Sequence, residues 1–322
     1  MTVLLTLLAA YVGLTIISTV VNQILSHNEL ADIEPTGQMV EVNGKQMHIR
    51  AMGPTGGSEQ TIVIMPGLGT ALPSSSFAPF ARELATEYTV VIIDYFGTGF
   101  SDQTDTPRTN ANTVDEVRQA LSAGGFQPPY ILMPHSASGA TADYFAIRHP
   151  DEVTALALLD TVHTHDVLET NLNEEVLVQG VRFTQFIGTP RLVNGFLLSS
   201  LYGYNDENNF TQEEVSNIRA FMNHEVNPTS MNRTRLFRET IYEVVALPFP
   251  QDVPVLSLRP TRPNLGTGDA ATNAENNKAH MQRYGPGSEM IILEGNHNIH
   301  MGNYVEIREA LNAFLAGQQA EE

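Results

Sequence analysis

The sequence predicts an α/β fold in which a mainly parallel sheet carries helices on both faces. Short apolar, β-branched runs recur along the chain, and segments with helical spacing separate them. A strand that is buried on both faces of a parallel sheet is apolar throughout, and strands that alternate with helices form βαβ units. A chain of 322 residues, 42% of them hydrophobic, is long enough to bury such a core.

The chain begins with the apolar segment "VLLTLLAAYVGLTIISTVV", Val3 to Val21, and its first acidic or basic side chain is Glu29. A helix that extends through Leu25 just crosses a hydrocarbon layer of about 30 Å. A signal peptide would have a basic N-terminal region and a shorter apolar run. We therefore predict a single membrane anchor over residues 1–28. Because simple N-terminal anchors often hold a domain outside the cytoplasm, we expect an extracytoplasmic domain.

The remainder of the chain predicts a hairpin followed by alternating strands and helices. The segment "GQMVEVNGKQMHIRAMG" alternates on both sides of Asn43-Gly44, which favours a two-residue turn. Further strands are predicted at 61–65, 89–95, 130–133, 154–160, 253–259 and 289–293, and helices at 75–88, 113–123, 138–149 and 304–315. The pattern between 161 and 250 is helical, which predicts a helical insertion between two parts of the core, 36–160 and 251–322.

Composition excludes several partners and chemistries. With 36 acidic and 17 basic residues the net charge is −19, which repels nucleic acid and anionic lipid surfaces. The absence of cysteine excludes disulfides, thiolate zinc sites and cysteine nucleophiles. After Gly67 and Gly69 the third glycine position of a dinucleotide fingerprint holds Leu72, and there is no phosphate-binding loop. We expect no cofactor, and the sequence does not determine an oligomeric state.

The segment "PYILMPHSASGATADYFAIRHP", residues 129–150, places Ser136 between a predicted strand and a predicted helix. A nucleophile at such a turn has a strained backbone and small neighbours two positions away, because the helix returns against the strand. Here these neighbours are Pro134 and Ser138. Ser136 is the candidate nucleophile, whereas Ser138, at the helix start, is expected to cap the helix.

The candidate base is His297, which follows the last predicted strand in "ILEGNHNIH" and so lies at the same sheet edge as Ser136. We expect His300 to be a packing residue. Two acids remain open. Asp160 directly follows the strand expected beside that of Ser136, about 4.8 Å away, and is favoured over Asp269, which lies in the glycine-rich loop "LGTGDAATN".

The segment "MPGLGT", residues 65–70, follows the strand 61–65 and has glycines where the backbone must bend and expose N–H groups. The N–H groups of Leu68 and Ala137 are therefore candidates for an oxyanion hole. An ordinary glycine turn is the alternative interpretation.

Together these motifs resemble the α/β-hydrolase fold superfamily, from about Val40 to the C-terminus. "PGLGT" stands where that family usually has His-Gly-x-Gly, "DYFGTGFSD" matches Asp-x-x-Gly-x-Gly-x-Ser, "PHSASG" matches Gly-His-Ser-x-Gly-Gly, and "GNHNIH" matches the terminal Gly-x-His. Pro66 in place of His and Pro134 in place of Gly are departures. The chain looks like uncharacterised membrane-anchored bacterial serine hydrolases with the acid after the sixth strand, which implies Asp160, eight strands, and a cap over residues 161–250.

The motifs and the resemblance imply acyl transfer to water by a Ser136, His297 and Asp160 triad, with a carboxylic ester as the first expected substrate. The partner would be a small molecule that is apolar on its acyl side. The segment "VRFTQFIGTPRLVNGFLLSSLYGY" supplies side chains that could line the acyl pocket, namely Phe183, Phe186, Ile187, Phe196 and Leu197.

Two alternatives remain open at the level of sequence. "HTHD" has the His-x-His spacing of a ligand pair, so that His163 and His165 could hold a metal with His297 as a third ligand. The chain could also be a membrane-tethered binding protein without activity, because a fold does not guarantee a function.

Overall fold

The computed structural model describes residues 2–54, 60–162, 173–262 and 270–321, with the backbone alone at 194–197, 200–201, 270–274 and 321. Strands and helices alternate along the chain. The strands are β1 (Gln38–Val42), β2 (Lys45–Met52), β3 (Thr61–Met65), β4 (Thr89–Asp94), β5 (Tyr130–Pro134), β6 (Val153–Leu159), β7 (Val255–Pro260) and β8 (Glu289–Leu293). The helices are α1 (Thr2–Ser26), α2 (Pro73–Ser76), α3 (Ala78–Leu84), α4 (Asn110–Ala123), α5 (Gly139–Arg148), α6 (Glu174–Phe186), α7 (Thr189–Leu201), α8 (Gln212–Met222), α9 (Pro228–Val245), α10 (Ala270–Met281) and α11 (Tyr304–Glu321).

The strands form one sheet of eight in the order β1-β2-β4-β3-β5-β6-β7-β8. Its first two pairings, β1 with β2 and β2 with β4, are antiparallel, and the others are parallel. This confirms the mainly parallel, eight-stranded sheet. Because β5 and β6 are neighbours, the residues that follow them meet at one edge, where His135 forms a bridge with Leu159.

The predicted hairpin turn lies at Asn43 and Gly44, with φ angles of 52° and 76°. Positive φ at both central residues is the geometry that matches the twist of two antiparallel strands. In β1 the inward side chains of Val40 and Val42 are buried and Glu41 is exposed.

The central strands contribute to two hydrophobic layers. In β3, Val63 and Met65 belong to a cluster that includes residues of α4 and α5, whereas Ile62 and Ile64 belong to one that includes residues of α3 and α11. Successive side chains of a strand point to opposite faces, so a strand covered on both faces is apolar at every position. This is the physical reason that continuous apolar runs marked the core strands.

Between β6 and β7 the described residues form the four helices α6 to α9, which we call the helical layer (residues 174–245), with no strand among them. The layer is fixed to the sheet domain by polar contacts. Thr229 Oγ1 accepts from the amide of Thr104 and donates to its carbonyl oxygen, both at 2.9 Å. Arg82 donates to Glu214 at 2.6 Å.

Helix α1 is long and apolar enough to cross a membrane, with a mean hydropathy of 2.2 over 18 residues and none of that window buried. Its last turns contact the helical layer. Ser18 Oγ donates to the carbonyl of Ile187 at 2.7 Å, and Asn22 Nδ2 donates to that of Gln185 at 3.0 Å.

Candidate active site

Ser136 follows β5 and has a φ of 54°, a backbone conformation that is strained for any residue with a side chain. The chain continues through a 3₁₀ turn into α5 within three residues. A Cβ atom added at Gly67 would lie 2.9 Å from the Cβ of Ser136, which is too close for two carbon atoms. A Cβ atom added at Gly139 would likewise lie 2.7 Å from the Cβ of Thr161. The turn is therefore closely packed by the loop after β3 and by the segment after β6.

Ser138 does not cap α5 with its side chain, so that sequence expectation is wrong. Its hydroxyl donates to the carbonyl of Pro66 and accepts from Arg233 Nη2 at 2.8 Å. Arg233 also donates to Pro66 at 3.0 Å and lies over the ring of Tyr95. Burial lowers the pKa of Arg233 to about 10, so it stays charged at neutral pH. The Ser138 hydroxyl is thus bound to the carbonyl of Pro66 and to Arg233 instead of a helix amide, and these bonds fix the loop that precedes Leu68.

Asp160 and His297 are hydrogen-bonded, with 2.6 Å between Asp160 Oδ2 and His297 Nδ1. Asp160 is 4% exposed and has a φ of 39°, and its amide donates to Leu258 at 2.9 Å. A carboxylate at Nδ1 holds the proton on that nitrogen, which leaves Nε2 of His297 as the basic one. No other described residue hydrogen-bonds to this Nε2.

Arg259, at the end of β7, is a site residue that sequence reasoning missed. Its Nη2 lies 3.1 Å from Asp160 Oδ1, and the two side chains are 6% and 4% exposed. Leu159 pairs with Leu258, so the residue after each of these lies beside the other strand. Only an acid was sought in the sequence at the end of β7, and Arg259 was therefore not considered. A buried carboxylate such as Asp160 needs a charged partner, and this requirement could have indicated the arginine.

Three histidines pack together beside the acid. His135 Nε2 donates to the carbonyl of His297 at 3.1 Å, and its ring lies 4.7 Å from that of His297 and 4.9 Å from that of His300. His300 stacks on Phe77 at 4.4 Å. Burial lowers the pKa of His135 to about 4 and that of His300 well below its ordinary value. Both rings are therefore neutral at pH 7 and position the His297 loop without adding charge.

Ser136 follows His135, whose ring lies beside that of His297, and no hydrogen bond joins Ser136 and His297 in the described part of the chain. The carbonyl of Ser136 accepts from the amide of Val162 at 3.2 Å, which holds the turn against the segment that carries Asp160. Nucleophile–base hydrogen bonds are often long in unliganded enzymes and shorten when substrate binds.

A cavity of about 250 Å³ opens next to the loop of Gly67 and Leu68, which packs against Ser136; Ser136, Asp160 and His297 are not among the residues that line it. Leu68 lines it on the sheet side, and Leu177, Val178 and Val181 of α6 line it on the other. Within the described residues the amides of Leu68 and Ala137 donate to no acceptor, so both are available to a ligand. Phe183, Phe186 and Ile187 lie elsewhere, in a groove against α1, and the side chains of Phe196 and Leu197 are outside the described residues.

A family model described as the alpha/beta hydrolase fold matches residues 60–201. The structure of an epoxide hydrolase mutant from Vigna radiata superposes with a TM-score of 0.66 at 17% identity, covering 87% of this chain and 98% of that one. The chain has the fold of the α/β-hydrolase superfamily.

Curated relatives extend this result. The chain is 29% identical to the uncharacterized protein YbdG of Bacillus subtilis (strain 168), over 78% of this chain and 77% of YbdG. A pimeloyl-[acyl-carrier protein] methyl ester esterase of Chromobacterium violaceum is 36% identical over 33% of this chain and 38% of its own length. Members of this superfamily are mostly hydrolytic enzymes, and the relative from Chromobacterium violaceum is named as one.

Among the described residues of this α/β-hydrolase, one ionisable group in the cavity has no partner. Glu225 lines the cavity, and its Oε1 would lie 3.6 Å from a Cβ at Gly69. Burial raises the pKa of Glu225 to about 7. The cavity wall therefore carries a carboxyl group that is partly protonated at neutral pH.

The alternative site residues lie outside the part of the hydrolase fold that the structure describes. These are Asp269, the second candidate acid, and the possible metal ligands His163 and His165. Among the described residues no group of three or more His, Asp or Glu side chains is arranged to hold a metal ion.

Proposed function

We propose that this α/β-hydrolase cleaves a carboxylic ester through Ser136, His297 and Asp160. The observation that carries the proposal is the 2.6 Å hydrogen bond from His297 Nδ1 to Asp160, beside a serine at a φ of 54°. A buried carboxylate on one ring nitrogen leaves the other free to take a proton from a nearby hydroxyl.

In the proposed reaction, Ser136 Oγ attacks the ester carbonyl carbon while His297 Nε2 takes the hydroxyl proton. The amides of Leu68 and Ala137 donate to the resulting oxyanion. The tetrahedral intermediate collapses as His297 returns the proton to the leaving alcohol. Water then attacks the acyl-enzyme, gives a proton to His297, and releases the acid as Ser136 regains its proton.

A serine at this position favours acyl transfer over dehalogenation or epoxide opening. An aspartate that attacks an alkyl carbon forms an ester, which water can cleave, whereas a serine would form an ether that is stable in water. An acyl-serine is itself an ester, so its hydrolysis completes the cycle.

The cavity and α1 support the rest of the proposal. The apolar side chains of α6 in the cavity wall suit an acyl group, with the helical insertion (161–250) as a cap over a core of 36–160 and 251–322. We propose α1 and the residues to 28 as a single-pass anchor, with the hydrolase domain outside the cytoplasm. Protease added to intact cells would digest an extracytoplasmic domain and spare a cytoplasmic one.

The test is the reaction of purified protein with p-nitrophenyl esters and with a fluorophosphonate probe. We expect hydrolysis that resists a metal chelator, a probe adduct that maps to Ser136 by mass spectrometry, and a fall in kcat of about 10³-fold or more for Ser136→Ala. Ser101→Ala is the control, because Ser101 hydrogen-bonds to the backbone of Asp94 and His48 and lies outside the proposed triad. An adduct on another residue, or equal inactivity of the folded wild type and Ser136→Ala, would contradict the proposal.

A further inference from the structure

Helices α6 and α7 expose apolar side chains on the side away from the cavity. We call this the apolar face, and it consists of Val176 (69% exposed), Phe183 (60%), Phe186 (55%), Leu192 (74%) and Val193 (37%). The α6 members follow each other at spacings of seven and three residues, which places them on one side of the helix. A cluster of large apolar side chains in contact with water marks an interaction surface.

The apolar face is continuous with the proposed membrane anchor. Phe183, Phe186 and Ile187 form a groove of about 370 Å³ with residues of α1, which are Tyr11, Val12, Thr15, Ile16, Thr19 and Val20. A Cβ at Gly188, where φ is 80°, would lie 2.9 Å from that of Asn22. The turn between α6 and α7 is therefore tightly docked on α1.

A polar cluster fixes this arrangement at the end of α1. Arg191 donates to both oxygens of Glu29, at 2.6 and 2.7 Å, and also to Ser26 at 3.1 Å. Glu29 further accepts from Asn223 at 3.1 Å. The first charged residue after the apolar segment is thus bound to the helical layer, so the layer and α1 are held in one relative position.

The helix geometry gives the depth of the apolar face. Ser18 and Asn22 contact the α6–α7 turn and lie four to eight residues before Ser26, or about 6 to 12 Å along the helix axis. A membrane that covers the apolar part of α1 therefore covers this turn as well. Interfacial helices bury their apolar sides about 5 to 10 Å into the boundary between headgroups and acyl chains, which fits this depth.

The opposite side of α6 lines the cavity next to the loop of Gly67 and Leu68, and this loop packs against Ser136. Leu177 and Val181 are 40% and 42% exposed and belong to the cavity wall, so this wall is apolar and the apolar face lies on the other side of the same helix. One helix thus separates the proposed bilayer contact from the proposed active site.

We propose that the apolar face of α6 and α7 inserts into the bilayer. The substrate is then an ester whose acyl chain lies in the membrane and enters the cavity laterally past α6. This deepens the proposed function and rests on it. Because the net charge is −19, the contact depends on apolar insertion into neutral or zwitterionic lipid rather than on attraction to anionic headgroups.

The chain contains no tryptophan, so a single introduced indole reports its own position. The full-length protein would be reconstituted in phosphatidylcholine nanodiscs with and without acyl-brominated phosphatidylcholine. We expect strong quenching for Phe183→Trp and little for Ile292→Trp, whose site is 48% exposed on β8. Equal quenching of the two, or none for Phe183→Trp because a second copy of the chain covers it, would overturn the membrane contact.

Lateral entry is tested with a water-soluble ester, p-nitrophenyl acetate, and a long-chain acylglycerol dissolved in the nanodisc. For the double variant Phe183→Ser with Phe186→Ser we expect a loss of tenfold or more on the acylglycerol and less than twofold on the acetate. Ile292→Ser with Val305→Ser, an exposed apolar pair outside the helical layer, should leave both rates unchanged. An equal loss on both esters would overturn lateral entry. A wild type inert towards both would remove the proposed function, and with it lateral entry, while the quenching still decides the membrane contact.

Discussion

Asp160 has two charged or polar partners. One of its carboxylate oxygens forms a buried ion pair with Arg259, and the other is bound to the candidate base, His297. In Arg259→Met the acid would lose one of its two fixed contacts and be free to turn. We expect a fall in kcat of about tenfold to a hundredfold with little change in KM, because misplacing the acid misplaces His297. Removal of one partner of a buried pair also lowers the free energy of unfolding by about 3 kcal/mol.

The conservative variant Arg259→Lys separates positioning from bulk stability. It keeps the charge near Asp160 and should recover part of the lost kcat at equal KM. Steady-state kinetics and urea unfolding measure the two effects. If Arg259→Met is unfolded more easily but has wild-type kcat, Arg259 stabilises the fold without positioning the acid.

Glu225 predicts a pH dependence of stability, because its pKa is raised to about 7 from the ordinary 4.5. The folded state holds this proton more tightly than the unfolded state, so unfolding free energy falls as pH rises from about 4.5 to 7 and the penalty is complete above that range. Glu225→Gln removes the charge. We expect it to be more stable than wild type by about 1 to 2 kcal/mol at pH 8 and equal to it at pH 4.

Thermal or urea unfolding of Glu225→Gln at both pH values checks this prediction. Glu213→Gln, at an exposed site in the same layer, is the matched control and should show no such difference between the two pH values. A stability gain that is the same at pH 4 and pH 8 would point to packing rather than to the charge of Glu225.

At the scale of elements, Gly139 shows how closely α5 approaches the segment after β6. A Cβ at Gly139 would lie 2.7 Å from that of Thr161, next to Asp160, whereas a Cβ at Gly180 in α6 would contact nothing within 4 Å. We expect Gly139→Ala to destabilise the protein by about 1 to 3 kcal/mol and to lower kcat. Gly180→Ala should stabilise it by up to about 1 kcal/mol, since alanine favours a helix. Chemical denaturation of both variants, beside an ester assay, measures the contrast, and equal effects would contradict it.

The strands were the elements that sequence predicted best, because most of them are short runs rich in apolar and β-branched side chains. Two of the predicted strands, 61–65 and 289–293, agree with β3 and β8 at both ends. The sequence also indicated the turn at Asn43 and Gly44, because these two residue types readily adopt the positive φ angles that a two-residue turn requires.

Contacts between distant elements were beyond the reach of local pattern. Arg233 of α9 contacts Pro66 and Ser138, and Glu225 faces the loop at Gly69, although more than 90 residues separate each pair. Nothing in the neighbourhood of either residue in sequence distinguishes it from a solvated charge. The proposed triad is a partial exception, since it was inferred from the rule that strand ends share one sheet edge, and its assignment stays a prediction.

For the molecule as a whole, the buried histidines predict sensitivity to acid. The pKa of His135 is lowered to about 4 from 6.5, so the neutral ring stabilises the fold above about pH 6.5 and this stability is lost as pH falls towards 4. The difference corresponds to about 3 kcal/mol. His300, whose pKa is lowered further, acts in the same direction.

His135→Gln keeps a donor for the carbonyl of His297 and cannot titrate in this range. We expect its unfolding free energy to fall less between pH 7 and pH 4 than that of the wild type. His27→Gln changes an exposed histidine and serves as the control. Equilibrium unfolding at a series of pH values gives the comparison. If the unfolding free energies of His135→Gln and wild type fall in parallel, protonation of His135 does not cause the loss of stability in acid.

The chain enters the helical layer after β6 and leaves it before β7. These two strands are neighbours, and their pairing from Leu156 with Val255 to Leu159 with Leu258 fixes the positions of both junctions. A replacement segment of another length would connect the same two strand ends. The entropic cost of closing a loop grows slowly with its length, so a longer or shorter segment changes the stability little. We therefore expect that the segment between residues 162 and 250 can be exchanged as a unit, which would alter the molecules admitted to the cavity, provided that the contacts of Arg233 with Pro66 and Ser138 are kept.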